Sequence, residues 1–112
     1  MNFQEDQIKE LKVISPNLSY AQEGGITYIR IEDLQLPESC VPKVVNALLC
    51  PFPKDGYVST LFYSVKITGG PARNWNRNGV RILNDNWYAI SWQVKPGLRL
   101  AEMVQVHLKA LR

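Results

Sequence analysis

The chain has 112 residues, of which 46% are hydrophobic and 21% are charged, and its formal net charge is +3. A chain of this length buries one hydrophobic core rather than two, and this composition is typical of a folded soluble domain rather than a disordered segment. The small positive charge permits a nucleic-acid partner but does not argue for one. We therefore expect a single domain over residues 1–112.

Several classes of protein and site are disfavoured by the residues that the sequence lacks. No stretch approaches the roughly 20 apolar residues of a membrane span, and the acidic and polar residues 1–12 are unlike a secretory signal. The two cysteines, Cys40 and Cys50, form no CxxC motif, and His107 is the one histidine. These are too few for a disulfide framework or a structural zinc site. We expect a cytoplasmic protein without metal, cofactor or membrane partner.

The first predicted element is a short helix near the start of the chain. Phe3, Ile8 and Leu11 lie roughly along one side of such a helix, and Asn2 would cap its N-terminus. Pro16 ends the segment.

The next predicted elements are strands. Residues 18–21 and 26–31 flank a Glu-Gly-Gly turn, which favours a hairpin. The mostly apolar run 44–50 is suited to a central strand, and residues 54–56 (Lys-Asp-Gly) are a second turn signal. Apolar residues then alternate with others over 61–67, which predicts a half-buried strand.

The last third of the chain begins with a segment of different character. Residues 68–79 contain three glycines and no apolar period, which predicts a long functional loop. A strand over residues 87–94 follows, with Tyr88, Ile90, Trp92 and Val94 on one face, and residues 96–97 (Pro-Gly) end it. Residues 100–111 have the pattern of an amphipathic closing helix. This order predicts an α+β fold, an antiparallel meander sheet with an N-terminal and a C-terminal helix packed on it.

Three segments resemble motifs of the ubiquitin-conjugating enzyme superfamily, in particular its divergent prokaryotic branches. Residues 52–57 (Phe-Pro-Lys-Asp-Gly-Tyr) resemble the FPxxYP turn, and residues 72–79 (Ala-Arg-Asn-Trp-Asn-Arg-Asn-Gly) resemble the HPN segment with its following glycine turn. Residues 92–111 are similar to the tryptophan, proline and helix behind the active site. The resemblance extends over residues 12–111 and implies the ubiquitin-conjugating fold.

The sequence departs from this family at the residue that would carry the chemistry. The proline after Tyr57 is missing, and Ala72 and Arg73 replace the histidine and proline of HPN. The family's catalytic cysteine stands three residues past the glycine, which is Ile82 here, and no cysteine follows Cys50. Because isoleucine cannot be acylated, a thioester at the family's usual position is excluded.

Asn74 is the first candidate site residue. The resemblance places it on the family's asparagine, which acts as an oxyanion donor when an amine attacks the thioester. The alternative is that Asn74 holds its own loop through bonds from its side chain to the backbone, as asparagines in loops usually do. With Ile82 at the nucleophile position, the second interpretation is the favoured one.

Ser91 is the second candidate, because it lies near the expected active-site region on the less apolar face of its strand. Its hydroxyl could accept a ubiquitin-like protein as an oxyester, for which it needs a base. His107 falls among apolar helix residues and is expected in the core or at the helix edge, with one hydrogen bond. Cys50 is expected to be buried and Cys40 to be better exposed, with no basic neighbour, so neither is a good nucleophile.

The functional hypothesis is a component of a prokaryotic ubiquitin-like protein conjugation system. The resemblance implies two partners, an activating enzyme and the ubiquitin-like protein. The domain either binds and orients that protein without catalysis or transfers it through Ser91 and Asn74, so whether it is an enzyme stays open. The alternative is a small nucleic-acid-binding domain that uses the basic loop Arg73–Arg81, including Trp75. It is the second choice because the other basic residues are dispersed.

Overall fold

The computed structural model of the protein describes residues 3–112. The helices are α1 (Glu5–Ile14) and α2 (Leu100–Leu108), the second continued by the 3₁₀ turn Lys109–Leu111. The strands are β1 (Leu18–Glu23), β2 (Ile26–Gln35), β3 (Val44–Cys50), β4 (Thr60–Tyr63), β5 (Trp75–Ile82) and β6 (Asp85–Ile90). The predicted α+β class, with an antiparallel sheet and a helix near each end of the chain, is confirmed. The proposed cap Asn2 lies outside the described residues.

The six strands form one antiparallel sheet in the order β1-β2-β3-β4-β6-β5. The first four strands form the predicted meander, and the β5–β6 hairpin then folds back so that β6 pairs with β4. Gly24 and Gly25, with φ of 59° and 79°, form the β1–β2 turn. Leu83 and Asn84, with φ of 53° and 68°, form the equally tight β5–β6 turn. β5 is therefore an edge strand of the sheet. It pairs with β6, which ends at Ile90, directly before Ser91.

Each face of the sheet carries a buried apolar cluster, and the helices cover only one of the two faces. On one face the two helices cover a large core, to which Leu11, Val104 and Leu108 contribute. On the other face a smaller apolar cluster forms without a helix, and its members are Tyr28, Leu48, Cys50, Phe62, Ile82, Trp87 and Ala89. Within residues 3–112, no helix has the length and apolarity needed to cross a membrane.

Two predicted elements in the middle of the chain differ from the structure. The strand predicted over 61–67 ends at Tyr63, and all four residues of β4 are buried rather than half of them. This is because β4 lies inside the sheet and is covered on both faces. The loop predicted over 68–79 gives way to β5 from Trp75 onward. Since β5 is a mostly exposed edge strand, its alternating side chains include asparagine and arginine instead of apolar residues.

The strand predicted over 87–94 is shifted toward the start of the chain. β6 begins at Asp85 and ends at Ile90, so Trp92 and Val94 lie beyond it. Val94 is buried, but Trp92 is 37% exposed and is not a core residue. Its indole Nε1 donates to the carbonyl oxygen of Val106 on α2 at 3.0 Å, which holds the indole at the surface.

Candidate functional site

The structure places the two predicted site residues side by side at one end of the β5–β6 hairpin. Asn74 directly precedes β5, and Ser91 directly follows β6. The Ser91 backbone N–H donates to the Asn74 carbonyl oxygen at 2.8 Å, which continues the strand pairing by one step. The Ser91 side chain is half-buried, whereas that of Asn74 is exposed.

The hydroxyl of Ser91 has a partner that the sequence did not suggest. Its Oγ lies 2.8 Å from the phenolic Oη of Tyr57. The side-chain amide of Asn76, near the start of β5, donates from Nδ2 to the same Oη at 2.7 Å. We call Ser91, Tyr57 and Asn76 the hydroxyl cluster. The mutual backbone hydrogen bonds of Lys54 and Tyr57, which close the predicted 54–56 turn, bring the phenol to this position.

Arg77 contacts two members of the hydroxyl cluster, Tyr57 and Asn76. Its guanidinium carbon lies 4.4 Å from the centre of the Tyr57 ring, a cation–π arrangement. The same group donates to Thr60 Oγ1 at 3.0 Å, to the Ile90 carbonyl at 3.3 Å and to Asn76 Oδ1 at 3.2 Å. Partial burial lowers the pKa of Arg77 from its usual value. These contacts fix the guanidinium, and with it the plane of the phenol.

His107 is not the base of Ser91. It is 5% exposed, and its Nε2 lies 2.9 Å from Oγ of the buried Ser59. Burial, with a smaller contribution from the positive charge of Arg77, lowers the pKa of His107 to about 4. The histidine is therefore neutral at pH 7 and belongs to the core, with one hydrogen bond, as the sequence indicated.

The stability of the fold is expected to fall on acidification because of His107. A histidine with a pKa of about 4 in the folded state and 6.5 in the unfolded chain binds a proton more readily when unfolded. Its contribution is fully present above pH 6.5 and is lost between pH 6.5 and 4. We expect His107 to reduce the free energy of unfolding by about 2 kcal/mol between pH 7 and pH 5. Urea titrations at the two pH values measure this difference.

The matched control for this prediction is His107→Gln, which keeps a polar group beside Ser59 but does not titrate. We expect the variant to be less stable at pH 7, and its stability should change by about 2 kcal/mol less than that of the wild type between pH 7 and 5. The same pH response in both proteins would contradict the assignment of the acid sensitivity to His107.

The prediction that the Cys40 side chain is exposed is wrong. Its side chain is fully buried, and its Sγ is 3.9 Å from Nη2 of Arg73, a basic neighbour that is distant in sequence. Burial nevertheless dominates and raises the pKa of the Cys40 thiol. Cys50 is fully buried as expected, and burial also raises its pKa. Ile82, to which the sequence resemblance assigned the nucleophile position, is 3% exposed and belongs to the helix-free apolar cluster, so its side chain is closed to a protein substrate.

The arginines of the basic loop Arg73–Arg81 do not form one surface. Arg73 turns inward and donates to the carbonyl oxygens of Ile67, Gly69 and Leu111. Arg77 is bound within the site described above, whereas the side chain of Arg81 is exposed. Two of the three cations proposed for phosphate contacts thus have intramolecular acceptors.

Sequence reasoning missed Tyr57 and Asn76 as members of the site. Both stand inside the two segments that resemble family motifs, but neither takes a role from that resemblance. The hydrogen bond between Tyr57 and Ser91 joins residues 34 positions apart, and no local pattern indicates such a pairing. Among the described residues, no group of three or more His, Cys, Asp or Glu could hold a metal ion.

The chain was compared with protein-family models, with curated proteins and with solved structures, and none of the three comparisons finds a match.

Proposed function

We propose that this domain acts in a prokaryotic ubiquitin-like protein conjugation system, in which Ser91 accepts the ubiquitin-like protein from an activating enzyme as an oxyester. The order of the three sequence motifs supports the family. The observation that carries the choice of residue is the hydrogen bond of 2.8 Å between Ser91 Oγ and Tyr57 Oη. It gives a half-buried serine at a strand end a polar partner that can take part in proton transfer.

The position of Ser91 supports this choice over the family's usual position. Ile82 is buried and cannot be acylated, whereas Ser91 is partly exposed and lies beside Asn74. The exposed amide of Asn74 is available as a donor to a developing oxyanion, the role that the family's asparagine has. Its backbone pairing with Ser91 keeps the two residues together.

The proposed transfer is a simple exchange of esters. Ser91 Oγ attacks the carbonyl carbon of the thioester that links the ubiquitin-like protein to the activating enzyme. A carbon–oxygen bond forms, the carbon–sulfur bond breaks, and the cysteine sulfur of the activating enzyme leaves with a proton that balances the one lost by the serine. An oxyester reacts more slowly with amines than a thioester does, so electrostatic stabilisation is needed for the next step.

The test is intact-mass spectrometry of the protein incubated with its candidate activating enzyme, ubiquitin-like protein and ATP. We expect a covalent adduct that resists thiol and is cleaved by hydroxylamine. Ser91→Ala should abolish the adduct, because the acceptor oxygen is gone. Ser19→Ala, at an exposed position on β1, is the matched control and should leave the yield unchanged.

Ser91→Cys provides a chemical signature that a structural role of Ser91 cannot produce. Its adduct should become sensitive to thiol, because a thioester replaces the ester. Full adduct formation in Ser91→Ala would refute Ser91 as acceptor. A stable complex on a sizing column without any adduct would leave binding as the function and remove the transfer step.

A further inference from the structure

The side-chain amide of Asn76 has a defined orientation, and this determines what the phenol of Tyr57 can do. Arg77 Nε is a donor and lies 3.2 Å from Asn76 Oδ1, so the oxygen of the amide faces the guanidinium. The nitrogen Nδ2 therefore faces Tyr57 and donates to Oη at 2.7 Å. One lone pair of the phenolic oxygen is thus occupied by Asn76.

The phenolic oxygen of Tyr57 also forms a hydrogen bond with Ser91. After Asn76 has used one lone pair, Oη keeps its own proton and a second lone pair. Ser91 Oγ lies 2.8 Å away, and either oxygen can be the donor in this hydrogen bond. Tyr57 can therefore accept a proton from Ser91 and release its own, without carrying a net charge before or after the exchange.

We propose that Tyr57 is a catalytic residue that relays the proton of Ser91 to the leaving group when the Ser91 oxygen attacks an acyl carbon. The identity of the acyl donor rests on the proposed function, but the relay does not. The new bond joins Ser91 Oγ to the acyl carbon, and the bond between that carbon and the leaving atom breaks. The serine proton moves to Tyr57 Oη while the phenolic proton moves to the leaving atom, which regenerates Tyr57.

The surroundings of Tyr57 favour this role over a purely structural one, in which the phenol only links the 54–56 turn to the end of β6. The phenol is stacked 4.4 Å from the guanidinium carbon of Arg77, which is itself held by Thr60 and the Ile90 carbonyl. Groups fixed in this way lose little freedom when the reaction begins. His107, the other candidate for proton transfer, is buried against Ser59.

A fluorophosphonate probe tests the relay without any ubiquitin-like protein. The serine oxygen attacks phosphorus, the phosphorus–fluorine bond breaks, and fluoride leaves as the anion, while Tyr57 takes up the serine proton and releases its own to water. We expect mass spectrometry of peptides to place the label on Ser91. Tyr57→Phe, which keeps the ring on Arg77 but removes the hydroxyl, should slow labelling about 100-fold or more. Tyr20→Phe, an exposed tyrosine on β1, is the matched control and should label at the wild-type rate.

Asn76→Ala is the second variant, because it frees the phenol from its fixed donor and leaves both hydroxyls in place. Its labelling rate should lie between those of the wild type and Tyr57→Phe. Thermal melting of each variant separates a loss of reactivity from a loss of fold, and the relay requires slow labelling of Tyr57→Phe at temperatures where it is folded.

The outcomes separate the relay from the proposed function. Labelling of Ser91 at the wild-type rate in Tyr57→Phe, or no labelling of Ser91 in the wild type, would overturn the relay. Labelling of Ser91 that depends on Tyr57, without any adduct of a ubiquitin-like protein, would support the relay and reject the transfer step of the proposed function.

Discussion

Trp87→Ala is expected to lower the free energy of unfolding by about 4 kcal/mol, the largest effect on stability that we predict. The indole is 1% exposed, and it lies in the helix-free apolar cluster. Its Nε1 donates to the Ile82 carbonyl at 3.0 Å, and the guanidinium of Arg30 lies over its ring. Alanine would leave a cavity in this cluster, on the helix-free face of the sheet. Urea unfolding followed by circular dichroism measures the loss.

Trp92→Ala is the matched control, since Trp92 is the same residue type but is 37% exposed. It loses a hydrogen bond to Val106 and part of its packing, for which we expect about 1 kcal/mol. Trp87→Phe should fall between the two, because most of the ring volume stays. If Trp87→Ala lowered the free energy of unfolding by no more than Trp92→Ala does, the helix-free cluster would contribute little to stability.

Arg73→Met is expected to lower the free energy of unfolding by about 3 kcal/mol, since hydrogen bonds from charged donors contribute more than neutral ones. Methionine keeps much of the volume of the stem but removes the guanidinium. The carbonyl oxygens of Ile67, Gly69 and Leu111 then lose a donor, and the 3₁₀ turn at Leu111 loses its link to the segment before β5. Urea unfolding measures the change, and faster hydrogen exchange near Leu111 would localise it.

Arg81→Met is the control for this substitution. Arg81 carries the same charge in the same segment but is exposed, so its replacement should change stability by less than about 0.5 kcal/mol. Arg73→Lys should restore only part of the stability, because one ammonium cannot reproduce the planar fork that reaches separate carbonyls. Equal effects of Arg73→Met and Arg81→Met would contradict the structural role of Arg73.

Elements whose signals are local can be predicted from the sequence. Hydrophobic spacing predicted the two helices, and the Gly24-Gly25 pair predicted the first hairpin, because both residues adopt positive φ without cost. The apolar run Val44–Cys50 predicted β3, and it is an inner strand of the sheet. The place of His107 on the apolar side of α2 predicted a position in the core or at the helix edge, and the structure buries it in the core.

Other features were decided only by the tertiary structure. β5 lacks an apolar period because an edge strand buries few side chains. Its pairing with β6 therefore could not be predicted from the sequence. Cys40 lies in a loop between Ser39 and Val41, yet it is buried because it belongs to the larger core, where it lies beside Arg73, 33 positions away in sequence. The contact between Tyr57 and Ser91 depends on a turn before β4 and on the end of β6, which the antiparallel pairing of these strands brings to the same end of the sheet. Local propensity and periodicity encode none of these, because each depends on groups brought together from distant parts of the chain.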